Sequence, residues 1–298
     1  MSLELIFLGT GTSAGIPMIG CDCDVCRSTD PHDQRTRASV LVRYPDAATD
    51  EDAGPPVRQL LVDSSPELRL QAVRHRIDRL DGVLYTHAHA DHIFGIDDLR
   101  RFNAVMHAPL DIHAEPDVIN SLRQMFPHIF ASHRNVNPSF VADLIPRPLA
   151  LDQPTDLFGA AWTPLRLMHG RLPVLGFRID YGHRSIAYCT DVSTIPPETF
   201  THLHDLDVLV LDALRYRHHP THMSVEQALD VVEQVRPQQA YFTHIAHDIR
   251  HADLDPRLPE NVHLAYDGLH LTLNEPLTPP LTPGPPGPPG PPPPAMTG

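Results

Sequence analysis

Short apolar runs closed by Gly, Pro, Asp or Asn recur along most of the chain. Residues 3–8, 39–44, 59–63, 82–86, 110–114, 162–168, 176–181, 184–190, 208–212, 239–243 and 262–265 are rich in β-branched and aromatic side chains, which predicts strands. Between them, apolar residues return at helical spacing, which predicts helices over 66–75, 90–102, 116–126, 197–203 and 224–235. Ser224 stands before the last of these with Gln227 three residues on, the pattern of a capping box. Strands interspersed with helices imply α/β or α+β layering, and no internal repeat is visible.

The pattern changes twice. Residues 45–58 are acidic and turn-rich and read as a long hairpin loop between two strands. From residue 275 the chain becomes PLTPPLTPGPPGPPGPPPPAMTG after one glutamate. Such a segment lacks the apolar surface to fold alone, so 275–298 is expected to be a disordered, polyproline-leaning tail behind one domain, 1–274. A tail of this kind can serve as a ligand for a proline-binding module.

Composition narrows the function. The net charge is −14 with no lysine, so an extended nucleic-acid surface is not expected, because such surfaces are basic. The N-terminal residues carry an acid inside a short apolar run and no basic leader, and no apolar run is long enough to span a membrane. Three of the four cysteines lie within six residues, which favours metal binding over disulfides and a reducing, cytoplasmic setting.

The densest chemistry is Thr86-His87-Ala88-His89-Ala90-Asp91-His92, directly after the apolar strand 82–86. Residues two apart in extended backbone point the same way, so His87 and His89 can address one cation together. A turn into the following helix swings Asp91 and His92 toward a neighbouring position. Imidazole with carboxylate suits zinc, iron or manganese. A second group, Cys21-Asp22-Cys23-Asp24-Val25-Cys26, supplies three thiolates, and a tetrahedral zinc site wants a fourth ligand. Cys189 lies in a strand and reads as an apolar filler, which leaves a histidine for that place.

The His-x-His-x-Asp-His pattern resembles the metallo-β-lactamase superfamily. That resemblance implies an αββα sandwich of two mixed β-sheets flanked by helices, and a pair of divalent metals, manganese or zinc, around a bridging hydroxide. Its remaining ligands fall on His169, Asp191 and His244, each at the end of a predicted strand. It implies His87, His89 and His169 on one metal, Asp91, His92 and His244 on the other, and Asp191 between them. Asp63 matches the family's buried aspartate, which orients a ligand. The chain is similar in particular to PhnP-type cyclic phosphodiesterases, from residue 3 to about 273. In those a three-Cys loop is closed by a histidine three residues past the last active-site histidine, here His247, giving a structural zinc site of Cys21, Cys23, Cys26 and His247. The resemblance also carries the homodimer as an assembly state.

A third constellation, Asp212 with His218, His219 and His222 in DALRYRHHPTHMS, offers acid/base groups on one loop. His222 resembles the histidine of the His-Ser box of ribonuclease Z enzymes and is the first choice for a proton donor, His219 the second. Arg35, Arg37 and Arg100 are candidate phosphate contacts. The resemblance to PhnP-type enzymes implies a hydrolase of a small phosphorylated substrate, most simply a cyclic phosphodiester such as phosphoribosyl 1,2-cyclic phosphate. The same cage would serve a tRNA 3′-processing nuclease, a lactonase or a thioesterase.

Overall fold

The structure is a computed structural model that describes residues 2–46, 56–136 and 140–274. The proline-rich tail and most of the loop expected over 45–58 lie outside the described residues. Two seven-stranded sheets face each other. The first holds β1 (Ser2–Gly9), β2 (Ser39–Pro45), β3 (Val57–Val62), β4 (Gly82–Leu84), β5 (Leu110–Ala114), β6 (Leu144–Pro148) and the late strand β14 (His270–Asn274), in the order β14-β1-β2-β3-β4-β5-β6. The second holds β7 (Thr155–Leu157), β8 (Ala160–His169), β9 (Leu172–Tyr181), β10 (Arg184–Cys189), β11 (Val208–Asp212), β12 (Gln239–Thr243) and β13 (Val262–Leu264), in reverse order from β13 to β7. Each sheet is mixed: β1–β3 and β7–β10 pair antiparallel, whereas β3–β6 and β10–β13 pair parallel.

Alternation along β1 shows why the sheets stack. Leu3, Leu5 and Phe7 enter the core between the sheets with Val40, Val62, Trp162, Phe177 and Val210. Ile6 and Leu8 point the other way, into a layer with α1 (Leu68–Arg74), α3 (Leu99–Met106) and α4 (Pro116–Met125). On the far side, α6 (Val225–Val235) covers the second sheet through Val225, Ala228, Val232 and Val235. Both faces of the central strands are buried, giving the near-continuous apolar runs seen in the sequence. The sandwich of two mixed sheets flanked by helices expected from the sequence is present, as is the capping box of Ser224 and Gln227 on α6.

All eleven predicted strands form, and three strands appear that the pattern did not show: β6, β7 and β14. Each is the edge of a sheet. An edge strand buries less and needs fewer ladder hydrogen bonds, so β6 can read Leu-Ile-Pro-Arg-Pro. The helix expected over 90–102 is broken into the short α2 (Ala90–Ile93), a 3-10 turn at Ile96–Asp98, and α3. The helix expected over 197–203 is reduced to a 3-10 turn at Thr199–His202.

The break after α2 has a steric cause. Gly95 donates its N–H to the Ser64 carbonyl at 2.9 Å, and a Cβ at this position would stand 2.1 Å from the Ser65 carbonyl oxygen. The loop after β3 and the end of α2 are thereby pressed backbone to backbone. Gly95→Ala is expected to cost about 1–3 kcal/mol of stability, the range for forced overpacking. An unchanged denaturation midpoint would show that this contact does not constrain the fold.

Candidate metal centres

Most side chains of the first centre leave the tip of a strand or the turn just beyond it, while Asp91 and His92 lie on α2. Asp63 follows β3, His87 lies just past β4, His169 ends β8, Asp191 lies past β10, Asp212 ends β11 and His244 follows β12. Parallel strands of the two sheets thus point their C-terminal ends at one place. Asp63, Asp191 and His244 all have left-handed backbone, with φ of 62°, 53° and 57°. L-residues adopt that conformation only when the surroundings enforce it, and such positions concentrate at functional sites.

Asp63 organises the motif loop. Its Oδ1 accepts the Thr86 N–H at 2.8 Å, and its Oδ2 accepts the Thr86 hydroxyl at 2.8 Å. The same Oδ2 lies 2.7 Å from His92 Nδ1. With the Thr86 hydroxyl proton given to Asp63, the Thr86 oxygen receives His87 Nδ1–H at 3.0 Å. One buried carboxylate therefore fixes two imidazole tautomers, both presenting a bare Nε2. His169 is set the same way, its Nδ1 donating to the Thr221 carbonyl at 2.7 Å.

These nitrogens converge. The His87 ring centroid is 4.5 Å from that of His89, 4.2 Å from His92 and 5.8 Å from His169. Asp191 reaches both sides, with its oxygens 3.1 Å from His92 Nε2 and 3.4 Å from His244 Nε2. Asp91, His92, Asp191 and His244 hold ligand atoms within 4.8 Å of one another. Nε2 of His87, His92 and His244 is buried without a hydrogen-bond partner. Buried polar atoms are rarely left so, and those of His92 and His244 face the Asp191 carboxylate. Burial pushes the His87 and His169 rings down, which keeps them neutral. Burial also opposes charge on His92 and His244, yet Asp191 outweighs it and lifts His92 well above its ordinary value and His244 to about 9. A site that draws protons onto buried imidazoles carries an excess of negative charge that a dication would balance. The donor set fits divalent metal on these grounds.

Beside this cluster, His222 Nδ1 lies 2.6 Å from Asp212 Oδ2. Its ring stacks on His244 at 4.6 Å and lies 4.5 Å from His169. His219 stands one ring further out, 5.2 Å from His222. Of the two histidines put forward for proton transfer, the geometry places His222 against the cluster.

The second centre gathers Cys21, Cys23, Cys26 and His247. The three sulfurs lie 3.2, 3.4 and 3.7 Å from His247 Nδ1. A tetrahedral zinc with bonds of ~2.3 Å to sulfur and ~2.0 Å to nitrogen has S···N edges of about 3.5 Å, so the spacing fits. The backbone N–H of Cys26 brings the Cys23 thiol down to about 7, toward the thiolate a metal needs. Cys189, by contrast, is fully buried in the apolar layer under α6, and burial pushes its thiol up to about 12.

The arginines need correcting. Arg35 is buried, and its guanidinium is consumed by Asp33 and by the carbonyls of His32, Ala246 and Ile249. It is a buried staple on the segment that carries His244 and His247, with four of its five N–H donors spent on that task. Arg37 is paired with Glu67 and the Ser13 carbonyl, and Arg100 at the start of α3 with Asp97 in the turn before it. An arginine already paired with a carboxylate cannot be recognised as such from spacing alone.

A family model described as beta-lactamase superfamily domain matches residues 58–245. A crystal structure of a diphosphatase from the PhnP family aligns with 92% of this chain and 98% of its own, at 37% identity and a TM-score of 0.80. The chain belongs to the PhnP family of the metallo-β-lactamase superfamily. As a member of that superfamily it is a metal-dependent hydrolase. Zinc-bound PqqB from Methylobacterium extorquens shares the fold, with a TM-score of 0.71 at 17% identity over 90% of this chain and 99% of that one. An octanoyltransferase of Porphyromonas gingivalis is 37% identical over 92% of this chain, but the chain spans only about half, 52%, of that relative's length. No helix among the described residues of this PhnP-family chain is long and apolar enough to cross a membrane.

Proposed function

We propose that this hydrolase cleaves a small phosphodiester, most simply a cyclic ribose phosphate of the phosphoribosyl 1,2-cyclic phosphate kind. His87, His89 and His169 would hold one divalent metal, Asp91, His92 and His244 a second, and Asp191 would be shared. Manganese or zinc suits this pair, and zinc suits the Cys21, Cys23, Cys26 and His247 site. When bound, such a pair polarises phosphoryl oxygens and makes hydroxide available near neutral pH.

The observation that carries the reading is the Asp212–His222 pair set against the cluster. Asp212 accepts from Nδ1 and fixes the orientation of the ring, so Nε2 can deliver a proton to the leaving oxygen. A ribose alkoxide needs that proton; a nitrophenolate does not. His222→Ala is therefore expected to lower kcat on a cyclic ribose phosphate by about 10²–10⁴-fold and on bis(p-nitrophenyl) phosphate by much less. Equal losses on both would remove His222 from the role.

A second reading, hydrolysis of a diphosphate, is favoured by the PhnP-family diphosphatase that this chain matches over 98% of that protein. The leaving group would then be a phosphate, which needs less help from His222. Turnover of a cyclic ribose phosphate, a dinucleoside diphosphate, an acyl lactone and a precursor tRNA, each with manganese and with zinc, separates these. Faster cleavage of the lactone or the tRNA than of either phosphate compound would overturn the proposal.

A further inference from the structure

A cavity of about 700 Å³ opens beside the thiolate site, and the proposed reaction does not use it. Its wall includes Cys23, Tyr216, His247 and Asp248, and Cys23 is the one cysteine on that wall. Cys26 lies behind, buried in a small apolar cluster with Ile16 and Val25. Cys23 is only half-buried, so a small solute in the cavity reaches its sulfur and not that of Cys26. Cys189 is fully buried in a separate apolar layer.

The two sulfurs are set for each other. Cys23 and Cys26 stand in C-x-x-C spacing, and the Cys26 N–H donates to Cys23 Sγ at 3.4 Å. The Met18 N–H holds Cys26 Sγ from the other side at 3.3 Å. All four ligand atoms of the site lie within 4.8 Å of one another. An accessible sulfur backed by a second within reach is the arrangement in which oxidation ends in a disulfide. The cavity also adjoins both supports of the active cluster. The loop that carries His222 contributes Tyr216, and Arg217 of that loop pairs with Asp248 at 3.2 Å. The segment that carries His244 contributes His247 and Asp248. Undoing the thiolate site therefore loosens both.

We propose that Cys23 is a site of oxidation by hydrogen peroxide, and that its disulfide with Cys26 expels the zinc of this site and slackens the His244 segment. The proposal rests on the zinc reading of the cysteine site, not on the identity of the substrate. In the first step the Cys23 thiolate attacks one peroxide oxygen, the O–O bond breaks, and hydroxide leaves, so that Cys23 becomes a sulfenic acid. In the second the Cys26 thiolate attacks the Cys23 sulfur, the S–S bond forms, the S–O bond breaks, and a second hydroxide leaves. Two electrons pass from the two thiolates to the peroxide, and two protons from solvent turn the hydroxides into water. Cys21 and His247 remain, too few for a tetrahedral zinc.

The test treats the full chain, loaded with zinc and active-site metal, with hydrogen peroxide. Two of the four thiols should disappear, and a peptide map should show Cys23 joined to Cys26. About one zinc per chain should pass to a chromogenic chelator, and Tm should fall as it leaves. Hydrolysis of bis(p-nitrophenyl) phosphate should drop by about tenfold or more, and dithiothreitol with added zinc should restore rate and Tm together. Cys189→Ala should respond as the unaltered protein does. A link through any other pair overturns the proposal, as do four thiols that survive with the zinc in place, or a rate and Tm that hold after the zinc has gone. Zinc release and Tm carry the test whatever the substrate proves to be. Untreated protein that holds no zinc beyond the active-site metals defeats the zinc reading by itself. The peptide map then decides on the peroxide site: a Cys23–Cys26 link supports it, and four free thiols overturn it.

Discussion

Asp191→Ala is expected to abolish hydrolysis, by at least about a thousandfold, the scale on which one charge-stabilising group is felt in an active site. Asp191 is fully buried and reaches His92 on one side and His244 on the other. Without it both rings lose their shared carboxylate, and the cluster loses the group that would join two cations. Metal analysis should show the loss of active-site metal, while any metal at the Cys21–Cys23–Cys26–His247 site is retained. Because the backbone here is left-handed, Asp191→Asn is the better control: asparagine tolerates that conformation and keeps the shape while dropping the charge. An Asp191→Asn protein that folds, keeps both metals and turns over at full rate would refute the shared role.

Cys23→Ser is expected to release about one zinc per chain and to lower Tm by roughly 5–10 °C, on the order of 2–3 kcal/mol for a domain of this size. Activity should decline after stability does. The route is the segment from His244 to Ile249. His244 belongs to the active cluster and His247 to the thiolate site, and Arg35 holds the carbonyl of Ala246 between them and that of Ile249 just beyond. Losing the thiolate anchor loosens that segment and with it His244. Unchanged metal content in Cys23→Ser would remove the structural zinc. Full activity with the zinc gone would show that Arg35 alone keeps His244 in place.

Much of this was legible in the chain itself. The strands that carry the site are central, buried on both faces and therefore strongly patterned, so their ends could be located, and the family resemblance then assigned His169, Asp191 and His244 to them. The three strands missed are edges, where burial is halved and the pattern fades. The break after α2 was not legible, because it depends on a backbone contact between Gly95 and a segment about thirty residues earlier. Arg35 shows the same limit from the other side. Its partners Asp33, Ala246 and Ile249 meet only in the fold, and a guanidinium reads alike in sequence whether it is spent or free. His247 was found only through the resemblance to PhnP-type enzymes, because the spacing of Cys21, Cys23 and Cys26 leaves the fourth ligand open.

The three left-handed residues at the strand exits, Asp63, Asp191 and His244, each hold a conformation that costs about 1–3 kcal/mol for an ordinary side chain. Glycine would relieve all three. A library of variants selected for heat resistance alone would therefore enrich glycine at positions that bind and activate, and its hardiest members would be inert. In this chain thermal tolerance and reactivity compete for the same few backbone angles.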